Sequence, residues 1–470
     1  MKQNLSKLTK EELIQIIETL ILKQSHLEEE IKKLSAQLSL NSSNSSMPPS
    51  TDGFKKKARN NSLREKSGKK SGGQHNHKGH TLRSVDHPDH IIDIIDDVCN
   101  HCTANLENTA PISVNTRQVF DIPLPKLEVT EYRTHNKICP HCNAKNNPKF
   151  PDTVVGSVSY GTNIQSFITY LNIQNHIPYN RITEFVKDFF QCNISEGTVY
   201  NILNRAYNLL EDVEITIKNR LINSPQVHVD ETGYYVENLR KWMFTYSNEN
   251  YTYYDFHEKR GKLAIDATDF IPKFSGVLTH DCWQSYDKYE NCSHSLCNAH
   301  FLRELNGIME NTDFNFPQII KNTLLEMKAL IDTRNPISKE IKEHLISRYN
   351  SELSNGFEEE LKENPPSIIK TGKRGKRKQS KAKNLLLRLN RIPEVLGFFI
   401  MPEIIPFDNN LAERDIRMVK VKQKVSGLHR SNQGAKQFCR IRGYISTISK
   451  NDLNIWDAIK SVFVGKPIMP

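Results

Sequence analysis

Hydrophobic positions along the chain change period several times, and each change marks an element. Over residues 8–40 the period is seven: Leu13, Leu20, Leu27 and Leu34 form one row, and Ile17, Ile31 and Leu38 fill the alternate row with Gln24 as its polar member. That repeat predicts a coiled-coil helix, with Gln24 helping to fix register and strand number. The competing reading is an amphipathic helix on its own domain, but the segment leads into a linker rather than a core. From Asn41 to about Arg83 periodicity stops. An Asn/Ser/Pro run and a Lys/Gly/His-rich stretch hold too few apolar residues to offset the entropy of ordering, which predicts a flexible basic linker over 41–85. His75, His77 and His80 read there as solvated filler rather than ligands.

Residues 86–150 suggest a small β-rich module, with strand-like pieces near 117–122 and 127–133. Residues 160–222 read as helical. One helix begins around Ile177–Ile182 and runs through Phe190, and after the polar break Gln191–Asn193 a second opens with Ser195 as N-cap. The pair fits a helix-turn-helix presenting Thr198, Asn201 and Arg205, and equally a plain hairpin supporting a core. From Pro225 the pattern becomes strand-like: Val227–Asp230, Trp242–Tyr246 and Tyr251–Phe256, with turns at Asn238 and Asn248. A short helix over 264–270, a fourth strand Gly276–Thr279 ending at Asp281, and a fifth at His294–Cys297 follow. Residues 305–400 are helical in pattern, with a basic loop at 370–383. Pro406, Asp408 and Asn409 then open a helix on which Leu411, Ala412, Ile416, Met418 and Val419 share an arc largely opposite Glu413, Arg414 and Arg417. Two more helices are expected at 434–449 and 455–463. The expected fold class is therefore α/β and multidomain.

Composition narrows the function. The 470 residues exceed one ordinary domain, and the formal net charge of +10 suits an anionic partner. The excess is concentrated: residues 51–85 hold ten Lys/Arg against Asp52 and Glu65, and residues 370–383 hold eight and no acid. Such patches are the usual footprint of phosphate contact. No stretch reaches the length of a membrane span and no signal peptide opens the chain, so a cytoplasmic protein is expected. Among nine cysteines, Cys99, Cys102, Cys139 and Cys142 form two Cys-x-x-Cys pairs. Four soft thiolates at this spacing suit a closed tetrahedral Zn²⁺ site, with His101 and His141 as alternative ligands and redox-active thiols as the competing reading.

Two short β-branched runs end in carboxylates, at Val229-Asp230-Glu231-Thr232 and at Thr279-His280-Asp281, and a later helix carries Asp408, Glu413 and Asp415. Carboxylates arriving on two strands and a helix make a cage for hard divalent ions such as Mg²⁺, and two such ions suit phosphoryl transfer. Helix geometry leaves all three helical acids open as the third member.

Four motifs together, in order, carry a resemblance. Val-Asp-Glu-Thr at 229–232, Asp-Cys-Trp-Gln-Ser-Tyr at 281–286, Cys-Asn-Ala-His-Phe-Leu-Arg-Glu-Leu at 297–305 and Asp-Asn-Asn-Leu-Ala-Glu-Arg at 408–414 resemble those of the DDE transposases of the IS66 insertion-sequence family. The resemblance runs from about residue 5 to the C-terminus and includes an Asn-Ser-Ser-x-Pro-Pro-Ser-like linker. It implies a ribonuclease-H-like catalytic domain over 225–450 with a helical insertion at about 305–400, then a tail at 451–470. It also implies Asp230, Asp281 and Glu413 as the metal-binding catalytic triad, with Glu413 selected only by the motif. A homo-oligomer and accessory proteins of the same element are implied partners. His300 and Arg303 are candidates for phosphate contact, against a role in a strand–helix junction. Cys297 and His300 make two metal ligands without a partner pair. The polar stretch Gly427–Gly434 offers backbone groups and Arg430 to phosphate. A catalytically inactive, zinc-dependent DNA-binding regulator is the alternative function, separable by metal-dependent nicking.

Overall fold

The computed structural model describes residues 9–41, 44–45, 82–122, 125–151, 154, 156–365, 379–402 and 405–469. Nearly all of the predicted basic linker, with its three histidines, and most of the 370–383 loop lie outside the described residues. The chain divides into two units, residues 61–130 and the remainder.

In the smaller unit, Val98 and Asn105 form an antiparallel bridge around Cys99–Cys102, and the Gln118 side chain bonds both backbone groups of Val85 at 2.7–2.8 Å. The strands expected near 117–122 and 127–133 are absent among the described residues. Val119, Ile122 and Val129 stand 89%, 85% and 95% exposed, so their alternation has no facing surface to bury against.

In the larger unit, α1 (Lys10–Leu38) starts with a complete capping box between Thr9 and Glu12. Its seam is uncovered in the single chain: Leu20, Leu27 and Leu34 are each more than half exposed. Two-residue strands β1 (Lys137–Ile138) and β2 (Lys145–Asn146) pair around Cys139–Cys142.

Four helices follow: α2 (Thr162–Thr169, extended by a π turn to Gln174), α3 (Tyr179–Phe190), α4 (Glu196–Leu209) and α5 (Glu211–Ile222). Ser195 caps α4, its hydroxyl accepting from Thr198 N–H at 3.1 Å. Val199, Ile202 and Leu203 of α4 are buried with the sheet in one core, while Asn201 faces solvent.

The sheet comprises β3 (Gln226–Val236), β4 (Leu239–Ser247), β5 (Thr252–His257), β6 (Val277–His280) and β7 (Ser293–Leu296), in the order β5-β4-β3-β6-β7, with β4 alone antiparallel to the rest. β3 is longer than predicted. It passes through Asp230 instead of ending there, because a two-residue turn with both Glu237 and Asn238 at positive φ returns it directly into β4. The short helix α6 (Lys262–Ala267) precedes β6.

The helical body begins with α7 (Asn298–Met309), which carries His300, Leu302 and Arg303 near its start, then α8 (Phe316–Asp332), α9 (Lys339–Glu363), α10 (Lys381–Leu389) and α11 (Ile392–Ile400). It has its own core, from Leu296 to Phe407. α12 (Asn410–Ser426) leaves that core and enters the sheet core through Ile416 and Val419. α13 (Asn432–Lys450) and α14 (Ile455–Phe463) complete the sheet core, so the segment expected as a tail buries Ile459, Val462 and Phe463. No helix among the described residues is long and apolar enough to cross a membrane.

Candidate active site

Register sets the first two carboxylates side by side. β3 and β6 run parallel with His228 opposite Thr279, so Asp230 and Asp281 each lie two residues further along neighbouring chains. Gly276 permits this register. A Cβ there would stand 2.5 Å from the Pro225 carbonyl, the same oxygen that accepts Val277 N–H at 2.8 Å. The third element is pinned by Asn409, which is buried at the start of α12. Its side-chain amide donates to Val229 O at 2.8 Å, its side-chain oxygen meets His228 Nδ1 at 2.9 Å, and its backbone N–H donates to Cys297 Sγ at 3.1 Å. Glu413 follows one helical turn later.

The three carboxylates sense one another. Burial pushes Asp230 well above the carboxylate range, and Glu231, Asp281 and Glu413 add to the rise. Burial likewise raises Asp281, opposed by Trp283 N–H and Arg260. Glu413 is raised by burial, opposed by Arg303 and Arg417, with Asp408 and Asp281 adding to the rise.

The other two helical acids have different work. Asp408 accepts from Asn410 N–H at 3.0 Å and from its side-chain amide at 2.6 Å, shaping the turn into α12. Asp415 faces the opposite way, buried against Lys450 at 2.8 Å, Thr252 at 3.0 Å and Ser446 at 3.2 Å. Its charge partner is Lys450, 35 residues away, rather than a neighbour on the same helix.

Glu231 and Asn409 are the residues that sequence reasoning missed. The Glu231 side chain is 2% exposed, bonded by Arg260 at 2.6 Å and by the Tyr286 hydroxyl. The Arg260 guanidinium stacks between Trp242 at 4.7 Å and Trp283 at 4.2 Å. Burial and Asp281 raise Glu231 to about 7 against the hydrogen bonds from Tyr286 and Arg260. Alternation along β3 gives no hint of partners 29 and 55 residues away. For Asn409 a signal existed: an asparagine just before an apolar helix reads as a cap, yet here the side chain bonds another strand.

Two clusters bring possible metal ligands within 4.8 Å of one another. In the first, the His294 ring bonds the Tyr289 carbonyl through Nε2 at 2.9 Å and His280 Nε2 through Nδ1 at 3.1 Å, while Cys282 N–H donates to His280 Nδ1 at 3.2 Å. A carbonyl only accepts, so His294 carries its proton on Nε2 and both rings are satisfied as neutral tautomers. Asp287, the third member, pairs with Arg391 at 3.0 Å. This is a structural network. The second is Cys297, His300 and Glu413. His300 Nδ1 lies 3.9 Å from Glu413 Oε1, and both atoms are buried without a hydrogen-bond partner, as is Arg303 Nε. Burial and then Arg303 hold the His300 ring down to about 3, hence neutral.

The cysteine pairs fold into matching turns. Cys99 O accepts Thr103 N–H at 2.9 Å and Cys99 N–H reaches Ala104 O at 2.8 Å; Cys139 does the same with Asn143 and Ala144, both at 2.9 Å. Thr103 and Asn143 adopt positive φ to close them. Backbone N–H groups of Cys102 and His101 lower the Cys99 thiol, and those of Cys142 and His141 lower Cys139. Arg430 is 91% exposed, 4.0 Å from Glu196.

This much defines a mixed helix–sheet protein with a carboxylate cluster at neighbouring strands and paired cysteine turns, and comparison with known families assigns it to the transposases. The model of the Transposase IS66 family matches residues 157–437, that of the zinc-finger binding domain of transposase IS66 matches 96–143, and a Family of unknown function (DUF6444) matches 2–83. The chain belongs to the IS66 family of transposases. A comparison with curated proteins returns no match.

Proposed function

We propose that this transposase cuts DNA at the ends of its element and joins the freed ends to target DNA, with Asp230, Asp281 and Glu413 as the catalytic carboxylates. The observation that carries the reading is the convergence of three mutually repelling, half-buried carboxylates from β3, from just past the end of β6 and from α12. The sheet order, with β4 alone antiparallel, supports a ribonuclease-H-like core. The donor set fits divalent magnesium: all three ligands are hard oxygens, and Glu413 Oε1 is buried without a partner. When bound, a pair of such ions supplies an activated water and neutralises charge on the leaving oxygen.

The chain's own residues position and compensate. Arg303 and Arg417 flank Glu413, and Arg260 between its two tryptophans holds Glu231 beside Asp230. Cleavage by water breaks one P–O bond and leaves a 3′-OH. That hydroxyl then attacks a target phosphorus, forming one P–O bond as another breaks, without a covalent protein intermediate. Arg303, beside Glu413, is proposed to contact the scissile phosphate, against a role for His300 and Arg303 in the strand–helix junction alone. Cys99, Cys102, Cys139 and Cys142 bind one structural Zn²⁺; the two matched turns, each aiming N–H groups at sulfur, support this. The exposed leucine seam of α1 pairs with a second copy, giving the oligomer that holds two DNA ends.

Strand transfer of a labelled element end in Mg²⁺ and Mn²⁺ tests the reading. Asp230→Asn, Asp281→Asn and Glu413→Gln should each lose activity by about three orders of magnitude, on the order of 4 kcal/mol, while DNA binding survives. Asp408→Asn should remain active. Retained cutting by all three triad variants would overturn the assignment.

A further inference from the structure

The sequence left Cys297 and His300 as two ligands without partners; the fold supplies the third. We propose that Cys297, His300 and Glu413 form a further site, for a transition-metal ion, in which Glu413 joins a thiolate and an imidazole beside the carboxylate cluster it shares with Asp230 and Asp281. The inference deepens the reading above, because it shares Glu413.

Cys297 and His300 stand three residues apart, just before and on the first turn of α7, and the start of α12 brings Glu413 against them. The ligand atoms of all three lie within 4.8 Å of one another. His300 Nδ1 and Glu413 Oε1 are both buried, both without a hydrogen bond, and 3.9 Å apart. Two such atoms facing each other cost free energy unless something lies between them. A metal accepts a lone pair from each, and the sulfur completes three protein ligands, leaving positions open for water or a phosphate oxygen. Asn409 N–H already donates to Cys297 Sγ and orients it, although burial and Glu413 raise this thiol, unlike those of Cys99 and Cys139. Binding releases the thiol proton to solvent. Mixed S, N and O donors favour Mn²⁺, Co²⁺ or Zn²⁺ over Mg²⁺. The remaining Glu413 oxygen lies 3.5 Å from Arg417, so the carboxylate keeps its orientation.

The test is Co²⁺ titration of the full-length, zinc-loaded protein, read as the difference spectrum between wild type and Cys297→Ser so that the four-cysteine site cancels. A thiolate-to-cobalt band should appear in wild type and vanish in Cys297→Ser. His300→Gln should weaken Co²⁺ binding by about ten-fold or more and shift the visible bands. If Cys297→Ser fails to fold, the His300→Gln comparison alone decides. Superimposable spectra and affinities for wild type and His300→Gln overturn the proposal and leave a bridging water between His300 and Glu413. Mg²⁺-dependent cleavage by Asp230→Asn separates the two claims. A dead Asp230→Asn without a cobalt band sinks this site and spares the transposition reading, and an active Asp230→Asn with the band does the reverse.

Discussion

The carboxylate cluster and the cysteine turns handle negative charge in opposite ways. Around Asp230 and Glu413, burial and like-charged neighbours push every acid upward, so ionised side chains crowd together only at a cost to the fold. Cys99 and Cys139 are half-buried beside exposed Cys102 and Cys142, and backbone N–H groups from their own turns pull the two thiols down. The first arrangement is held by distant packing and favours a bound cation that can exchange. Each turn of the second is built from a handful of consecutive residues and holds its thiol pair without help from a core. A site held by the whole fold should fail gradually as its supports are removed, whereas one built from local turns should fail all at once.

The largest effect expected is therefore at the cysteines. Cys99→Ser or Cys139→Ser should abolish zinc binding, measured as metal per chain, while the melting transition of the sheet core stays in place. If zinc stoichiometry is unchanged, the matched turns are not a ligand set. Next comes Asp415→Ala, which leaves Lys450 buried without its carboxylate and should destabilise by about 3–5 kcal/mol in chemical denaturation. A change below about 1 kcal/mol would mean that water reaches this pair. Asn409→Ala removes two buried side-chain hydrogen bonds. It should cost about 2 kcal/mol and lower strand transfer more than it lowers DNA affinity, because α12 is no longer fixed to β3.

The smallest effect is a slope. Glu231 titrates at about 7 in the folded chain against an ordinary value of 4.5. The native state thus keeps a proton that the unfolded chain has released. Stability of the metal-free protein should fall as pH rises through that window and level off above it, by on the order of 1 kcal/mol per unit at its steepest. Glu231→Gln should reduce the slope in thermal melts, leaving the part that Asp230, Asp281 and Glu413 contribute, and added divalent cation should oppose it. A slope of the opposite sign would mean that Arg260 and Tyr286 outweigh burial.

Much of the strand order and helix positions was legible because period and turn chemistry are local. Val227, Trp242, Tyr251 and Gly276 each announced their strands, and Ser195 its cap. What was hidden depends on partners far away in the chain. Asp415 is explained only by Lys450, and Glu231 only by Arg260 and Tyr286. The pieces near 117–122 and 127–133 show the converse, since β-branched alternation alone does not make a strand when no neighbour supplies a ladder.

α12 is rooted at one end in the core of the helical body, through Phe407 just before it, and at the other in the core of the sheet. In a decaying copy of the gene this dual rooting becomes a point of inheritance. An in-frame loss of residues 310–400 spares Asp230, Asp281, His300, Arg303 and the coding triplet of Glu413, yet removes Phe398 and the rest of the seat of Phe407 that aims the helix. Such an allele is expected to encode a protein with an intact sheet and every catalytic letter in place that no longer moves its own DNA.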